Sequence, residues 1–135
     1  MKKVFFTFIV MALTTLSLLA DNVDVNTAKS LGLKFLTHNT ELKSNDLRLS
    51  YTAATTSGLP VFYVFSANEK GFVIVSADDR MRPILGYSEN NAFNTESVNP
   101  SLNAFFQNYI STAEYVYQNG LERCDNAQNI WKVVL

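Results

Sequence analysis

The stretch Gly71–Arg80, with the sequence GFVIVSADDR, decides the fold of this chain of 135 residues. Phe72–Val75 is a continuous apolar run rich in β-branched residues, which is typical of a buried strand. Asp78-Asp79-Arg80 follows it as a charged turn, and Ile84–Tyr87 resumes as a second short strand. The segment therefore predicts two strands of one sheet, joined by a polar turn.

A second apolar run lies immediately before this stretch. Val61–Phe65 consists of β-branched and aromatic residues, and it is too apolar for a strand that faces solvent. Asn68–Gly71 separates the two runs and is a turn signal, because Gly71 is suited to a positive φ angle. The two runs predict a hairpin at the centre of an antiparallel sheet, covered by helix on at least one face. Leu47–Thr52 alternates apolar and polar residues and predicts a further strand with one wet face.

An amphipathic helix is predicted before these strands. Val25–Leu36 places apolar residues three and four positions apart. Asp24 or Asn26 can cap its N-terminus, because a short polar side chain accepts hydrogen bonds from the first free N–H groups. The polar stretch His38–Asp46 is interpreted as a connection to the first strand.

A second helix is predicted after the strands. Leu102–Tyr117 has a broad apolar face, Asn99 or Ser101 can cap its start, and Asn119-Gly120 is a natural stop. The order of elements predicts an α+β fold, in which an antiparallel sheet packs against an N-terminal and a C-terminal helix.

Length and composition indicate one globular domain. The chain is 47% hydrophobic, which is enough to build a core. We expect the domain to span residues 21–135, with 121–135 as a tail of uncertain role, because its apolar end Ile130–Leu135 has no obvious place in a small core. The net charge of −1 argues against electrostatic binding to nucleic acid or to an anionic membrane surface.

The N-terminus has the pattern of a secretory signal peptide. Lys2 and Lys3 form a basic region, Val4–Leu19 is apolar, and cleavage is expected after Ala20. A transmembrane anchor is the alternative, but the apolar run is short for a span of about 20 residues. We therefore expect residues 1–20 to be removed and the mature chain to be periplasmic or secreted, without a membrane attachment.

The sequence offers little material for catalysis. His38 is the single histidine and Cys124 the single cysteine, and neither lies in a recognisable nucleophile setting. One of each cannot complete a zinc site, so we expect neither an enzyme nor a bound metal or other cofactor. Cys124 leaves open a free thiol, an intermolecular bridge or a small half-buried apolar residue. Asp78-Asp79-Arg80 is interpreted as a structural turn in which Arg80 pairs with an aspartate.

A long, Asn-rich loop separates the last strand from the last helix. Long loops in compact domains tend to be functional or disordered. Asn99 precedes Pro100 and is therefore held in an extended conformation. A stiff, extended segment ahead of a helix is suited to enter the cleft of a partner.

Over about Asp24–Tyr117 the chain resembles the propeptides of streptopain-type bacterial cysteine proteases and the related streptopain inhibitors. The segments that carry the resemblance are Val61–Phe65, Gly71–Arg80, Pro83–Ser88, Ala92-Phe93 and Ala104–Ile110. The resemblance implies an antiparallel sheet packed against helices. It also implies reversible blockade of a papain-like cysteine protease.

The same resemblance implies a contact surface. In the family, a loop ahead of the last long helix reaches the protease active site, where an asparagine disturbs the catalytic histidine. That loop corresponds here to about Asn94–Asn103, and Asn99 is its nearest asparagine, although alignment on Tyr109 places Ser101 nearer the family position. The implied contact residues are Phe93, Asn94, Val98, Asn99, Pro100 and Ser101, with Phe93 and Val98 expected as exposed apolar anchors.

We interpret the chain as an exported, stand-alone inhibitor of a streptopain-type cysteine protease, monomeric when free. No catalytic domain follows the propeptide-like module before Leu135. Two alternatives stay open. One is a detached propeptide that acts as a folding chaperone for a separately encoded protease, and the other is a secreted interaction module without inhibitory activity.

Overall fold

A computed structural model describes residues 22–68, 70–123 and 125–134. The elements in this part of the chain are α1 (Val25–Asn39), β1 (Arg48–Ala54), β2 (Pro60–Ser66), β3 (Phe72–Ser76), β4 (Ile84–Ser88), α2 (Pro100–Gln118) and α3 (Asp125–Val134). The strands form one antiparallel sheet in the order β1-β2-β3-β4. The predicted α+β fold and its central β2–β3 hairpin are confirmed. The predicted signal peptide and Cys124 lie outside the described residues.

The sheet is covered by helices on both faces. Strands β2 and β3 are buried along their whole length, apart from the half-buried Pro60. Alternate side chains of a strand point to opposite faces. The two sets are Tyr63, Phe65, Val73 and Val75 on the side of α1 and α3, and Phe62, Val64, Phe72 and Ile74 on the side of α2. Burial on both faces explains why the two runs are apolar without alternation.

Helix α1 begins at a capped N-terminus and lies close to the sheet. The Asp24 carboxylate accepts hydrogen bonds from the backbone N–H groups of Asn26 and Thr27, at 2.9 and 3.1 Å. Gly32 allows the close approach, because a Cβ atom there would lie 2.9 Å from Cγ1 of Val73. The helix extends to Asn39. His38 therefore lies in its last turn, rather than in the connection that its polar surroundings indicated.

Strand β1 departs from the predicted alternation. The pairing register with β2 shifts between Leu49 and Tyr51. A shift of this kind inserts an extra residue and changes which side chains face the core. Leu49 is consequently 44% exposed, although the alternating pattern placed it on the apolar face.

The C-terminal segment completes the core, which corrects the expectation that it has no place there. Trp131 of α3 is 2% exposed and belongs to the apolar cluster beneath α1. Its indole Nε1 donates a hydrogen bond to the carbonyl oxygen of Met81 at 2.7 Å. The Nζ atom of Lys34 in α1 donates to the carbonyl oxygen of Val134 at 3.1 Å. Helix α3 thus fills the part of the sheet face that α1 leaves open.

The turn after β3 holds the two C-terminal helices to the sheet. The side chain of Asp78 is fully buried and accepts two hydrogen bonds from the Arg80 guanidinium, at 2.9 and 2.7 Å. The guanidinium carbon lies 4.7 Å from the ring centroid of Tyr117 in α2. Asp79 forms a salt bridge with Arg123, just before α3. The interpretation of this turn as structural, with Arg80 paired to an aspartate, is confirmed.

We expect Trp131→Ala to lower the free energy of unfolding by about 3–5 kcal/mol, because it removes a large buried side chain and leaves a cavity. Val133→Ala is the matched control in the same helix, since Val133 is 80% exposed. Chemical denaturation of both variants measures the difference. Equal small losses in the two variants would show that α3 does not contribute to the core.

We expect Arg80→Ala to lower the free energy of unfolding by about 3–5 kcal/mol, because it leaves the buried Asp78 carboxylate without its counter-charge. Arg82→Ala, in the same turn, is the control, since Arg82 is exposed. Urea denaturation at neutral pH measures both. A loss for Arg80→Ala within about 0.5 kcal/mol, as for an ordinary surface residue, would contradict the assignment.

Candidate functional site

The loop between β4 and α2 is tied to the sheet at its start. The backbone N–H of Gly71 donates to the carbonyl oxygen of Asn91 at 3.2 Å, and the N–H of Asn91 donates to Oγ of Ser88 at 3.2 Å. Gly71 has a φ of 94°, and a Cβ atom there would lie 2.8 Å from the carbonyl oxygen of Ser88. Glycine is therefore required at this crossing, and the first part of the loop has a defined path.

The end of the loop is fixed by asparagine side chains. Oδ1 of Asn94 accepts a hydrogen bond from the backbone N–H of Glu96 at 2.9 Å. Asn99 is the N-cap of α2, and its Oδ1 accepts from the N–H of Ser101 at 2.8 Å. Asn99 has a φ of −54° and a ψ of 136°, which confirms the extended conformation predicted from Pro100. One function of Asn99 is thus to start the helix.

Phe93 and Val98 anchor the loop to the core, which corrects the expectation that both are exposed. Both side chains are half-buried and pack against the apolar cluster on the α2 side of the sheet. The ring of Phe93 lies 5.6 Å from that of Phe72 and 6.1 Å from those of Tyr51 and Phe106, between centroids. Phe93 therefore packs at the edge of the aromatic cluster that the sheet and α2 form.

The loop, Phe72 at the start of β3, the end of β4 and the first turns of α2 line an open cleft of about 690 Å³. We call it the loop cleft. A volume of this size is typical of ligand-binding sites. The predicted contact residues that line it are Phe93, Asn94, Val98, Asn99 and Ser101, whereas Pro100 does not. The structure therefore brings together all but one of the residues that the family resemblance implied.

Other lining residues were missed by the sequence reasoning. Leu102 and Phe105 of α2 and Asn91 of the loop also line the cleft. Leu102 and Phe105 are three positions apart and therefore share a face of the first helical turns. This spacing was assigned wholly to the core, yet Phe105 is 38% exposed. The spacing of apolar residues thus predicted the apolar face of α2, but it did not predict which residues of that face are buried in the core.

The loop cleft is electrically neutral. Its lining contains no Asp, Glu, Lys, Arg or His among the residues that the structure describes. Tyr109 packs beside it, 5.8 Å from Phe105 between ring centroids. Burial raises the pKa of Tyr109 to about 12, so this phenol is uncharged at neutral pH. The cleft offers side-chain amides, hydroxyl groups and an aromatic surface.

The described residues contain neither a cluster of metal-binding side chains nor a helix that could span a membrane. No group of three or more His, Cys, Asp or Glu among them is placed to hold a metal ion. His38 lies on α1, across the sheet from α2, with Nδ1 2.8 Å from the carbonyl oxygen of Lys34. No helix within these residues combines the length and apolar character that crossing a membrane requires.

Comparison with known proteins identifies the family. A family model described as Spi protease inhibitor matches residues 20–113. The matched range contains the whole sheet, the loop cleft and most of α2, whereas α3 lies beyond it. No curated protein and no solved structure matches. The resemblance to streptopain inhibitors is confirmed, and the chain belongs to the Spi protease inhibitor family.

Proposed function

We propose that the chain is an exported protein that inhibits a streptopain-type cysteine protease by placing the loop before α2 against the active-site cleft of the enzyme. Family membership supports a protease inhibitor, with a protease as its partner. The observation that supports the finer proposal is that Asn94, Asn99 and Ser101 are exposed side chains of a loop with a fixed path and line the loop cleft. The sequence of residues 1–20 supports export.

A preformed loop favours inhibition over mere contact. Protease inhibitors gain affinity from a rigid, complementary surface, and a standard interface buries about 1,600 Å² in total. Hydrogen bonds hold the loop at Asn91, Asn94 and Asn99, and Phe93 fixes its middle to the core. Less conformational entropy is therefore lost on binding. Such an inhibitor needs no reactive group of its own.

The first test is inhibition by the mature chain. We expect residues 21–135 to inhibit an active streptopain-type protease stoichiometrically, with a sub-micromolar inhibition constant. The rate of hydrolysis of a peptide substrate measures it. Faster refolding of the denatured protease without inhibition would contradict the proposal in favour of a folding chaperone. If the chain shows neither inhibition nor faster refolding of the protease, the proposal is contradicted in favour of an interaction module.

The position of Asn99 calls for three substitutions rather than one. Because Asn99 caps α2, Asn99→Ala is expected to lower stability by about 1 kcal/mol, and deletion of 97–100 removes the start of the helix. Both changes therefore disturb the start of α2 as well as any contact that Asn99 makes with the protease. Asn99→Ser and Asn99→Asp keep an oxygen that can cap the helix, while both remove the amide group.

We expect all three Asn99 substitutions to weaken inhibition by about tenfold, which corresponds to the loss of one good contact. Thermal unfolding is expected to change only in the alanine variant. Inhibition constants and melting temperatures, measured side by side, separate contact from capping. Weaker inhibition in Asn99→Ala alone would show that Asn99 acts through the helix and not on the protease.

A further inference from the structure

We propose that the loop cleft binds an uncharged, extended peptide segment of the target protease, with an apolar side chain of that segment against Phe105. The inference deepens the proposed function, on which it rests, by naming the kind of protease surface that the inhibitor takes up. Three properties of the residues that line the cleft support the inference: their charge, their hydrogen-bonding capacity and their apolar surface.

Among the described residues, the lining of the cleft offers no charged side chain that could pair with an ionic occupant. Burying a charged group is unfavourable unless a counter-charge or several hydrogen bonds replace its hydration. The described lining of the loop cleft supplies no counter-charge. Other clefts formed by the described residues differ, since one contains Asp46 and Arg48 and another contains Asp79 and Arg123. An uncharged segment is therefore the better match.

The hydrogen-bonding capacity of the cleft favours main-chain carbonyl groups. Asn91, Asn94 and Asn99 all line it. The last two use Oδ1 as an acceptor within the loop, but no hydrogen bond between described residues uses the Nδ2 atom of any of the three. These three side-chain amide groups can therefore donate hydrogen bonds to a bound partner. An extended peptide presents carbonyl oxygens at regular intervals, and these are uncharged acceptors.

The apolar surface of the cleft provides an anchor point. Phe105 is 38% exposed, beside the half-buried Leu102 and Phe93. Binding energy in protein interfaces concentrates where an apolar or aromatic side chain enters a partly formed pocket. An aliphatic or aromatic side chain of the protease segment would cover the exposed part of the Phe105 ring.

A direct binding experiment tests the cleft without any protease. The probes are two blocked pentapeptides of alanine, with leucine or aspartate at the centre. Titration into the ¹⁵N-labelled mature chain is followed through the side-chain amide resonances of Asn91, Asn94 and Asn99. We expect the leucine peptide to shift these resonances and the aspartate peptide to bind at least about fivefold more weakly. Equal binding, no binding, or shifts elsewhere would overturn the inference.

Substitutions test the same cleft in the complex. We expect Asn94→Asp and Phe105→Ala each to raise the inhibition constant by about tenfold. Asn94→Asp keeps an oxygen for the N–H of Glu96, while it removes the amide donor and adds a charge. The control for the charge is Asn26→Asp, since Asn26 is an exposed residue of α1, across the sheet from α2. The control for the aromatic ring is Tyr115→Ala, since Tyr115 is 62% exposed and lies about 15 Å further along α2. Both controls should leave the inhibition constant within about twofold.

The outcomes separate the two proposals. If the unaltered chain inhibits the protease but neither cleft variant changes the inhibition constant, the cleft inference fails and the proposed function stands. If the unaltered chain does not inhibit, yet the leucine peptide shifts the three amide resonances, the proposed function fails and the preference of the cleft for uncharged peptides stands. Melting temperatures of all variants identify any loss that comes from unfolding.

Discussion

The burial of the β2–β3 hairpin on both faces is the constraint on which the rest of the structure depends. Two strands with apolar side chains on both sides require a helical layer above and below the sheet. Helix α2 supplies one layer. The other layer is shared, because α1 covers only part of that face and Trp131 of α3 fills the remainder.

The position of the loop cleft follows from this arrangement. Strand β4 lies at one edge of the sheet, and the chain must pass from this edge to the face that α2 covers. The connecting loop therefore crosses the rim of the core. Its apolar residues, Phe93 and Val98, pack inward, and its asparagines hold the backbone. The cleft lies where the aromatic core stops and the first turns of α2 begin.

The sequence predicts best where local pattern and tertiary role agree. The runs 61–65 and 72–75 indicated the central strands because both are short and consist of the β-branched and aromatic residues that are enriched in strands. The pattern at Leu49 was less reliable, since a register shift against β2 depends on the partner strand. Trp131 was unpredictable for a related reason. Its environment is a gap between α1 and the sheet, which exists only in three dimensions.

The candidate site was predicted only in part, because only some of its features are local properties of the sequence. Sequence identified the loop and the extended Asn99-Pro100 step, which are local properties. The sequence did not distinguish a loop residue that packs on the core from one that contacts a partner. Phe93 is half-buried because its ring packs against those of Phe72 and Phe106, and these contacts are not visible in the sequence. The neutrality of the loop cleft was likewise not predicted, since the sequence does not show which residues of the stretch 88–105 line it together with Phe72.

The hydrogen bond from Trp131 to Met81, across 50 residues, also bears on the order of folding. The contact between Lys34 and Val134 spans 100 residues. Contacts of such long range form late, because the loops that they close lose much conformational entropy. During synthesis, the α1 face of the core can therefore close only after Trp131, which fills part of it, has left the ribosome.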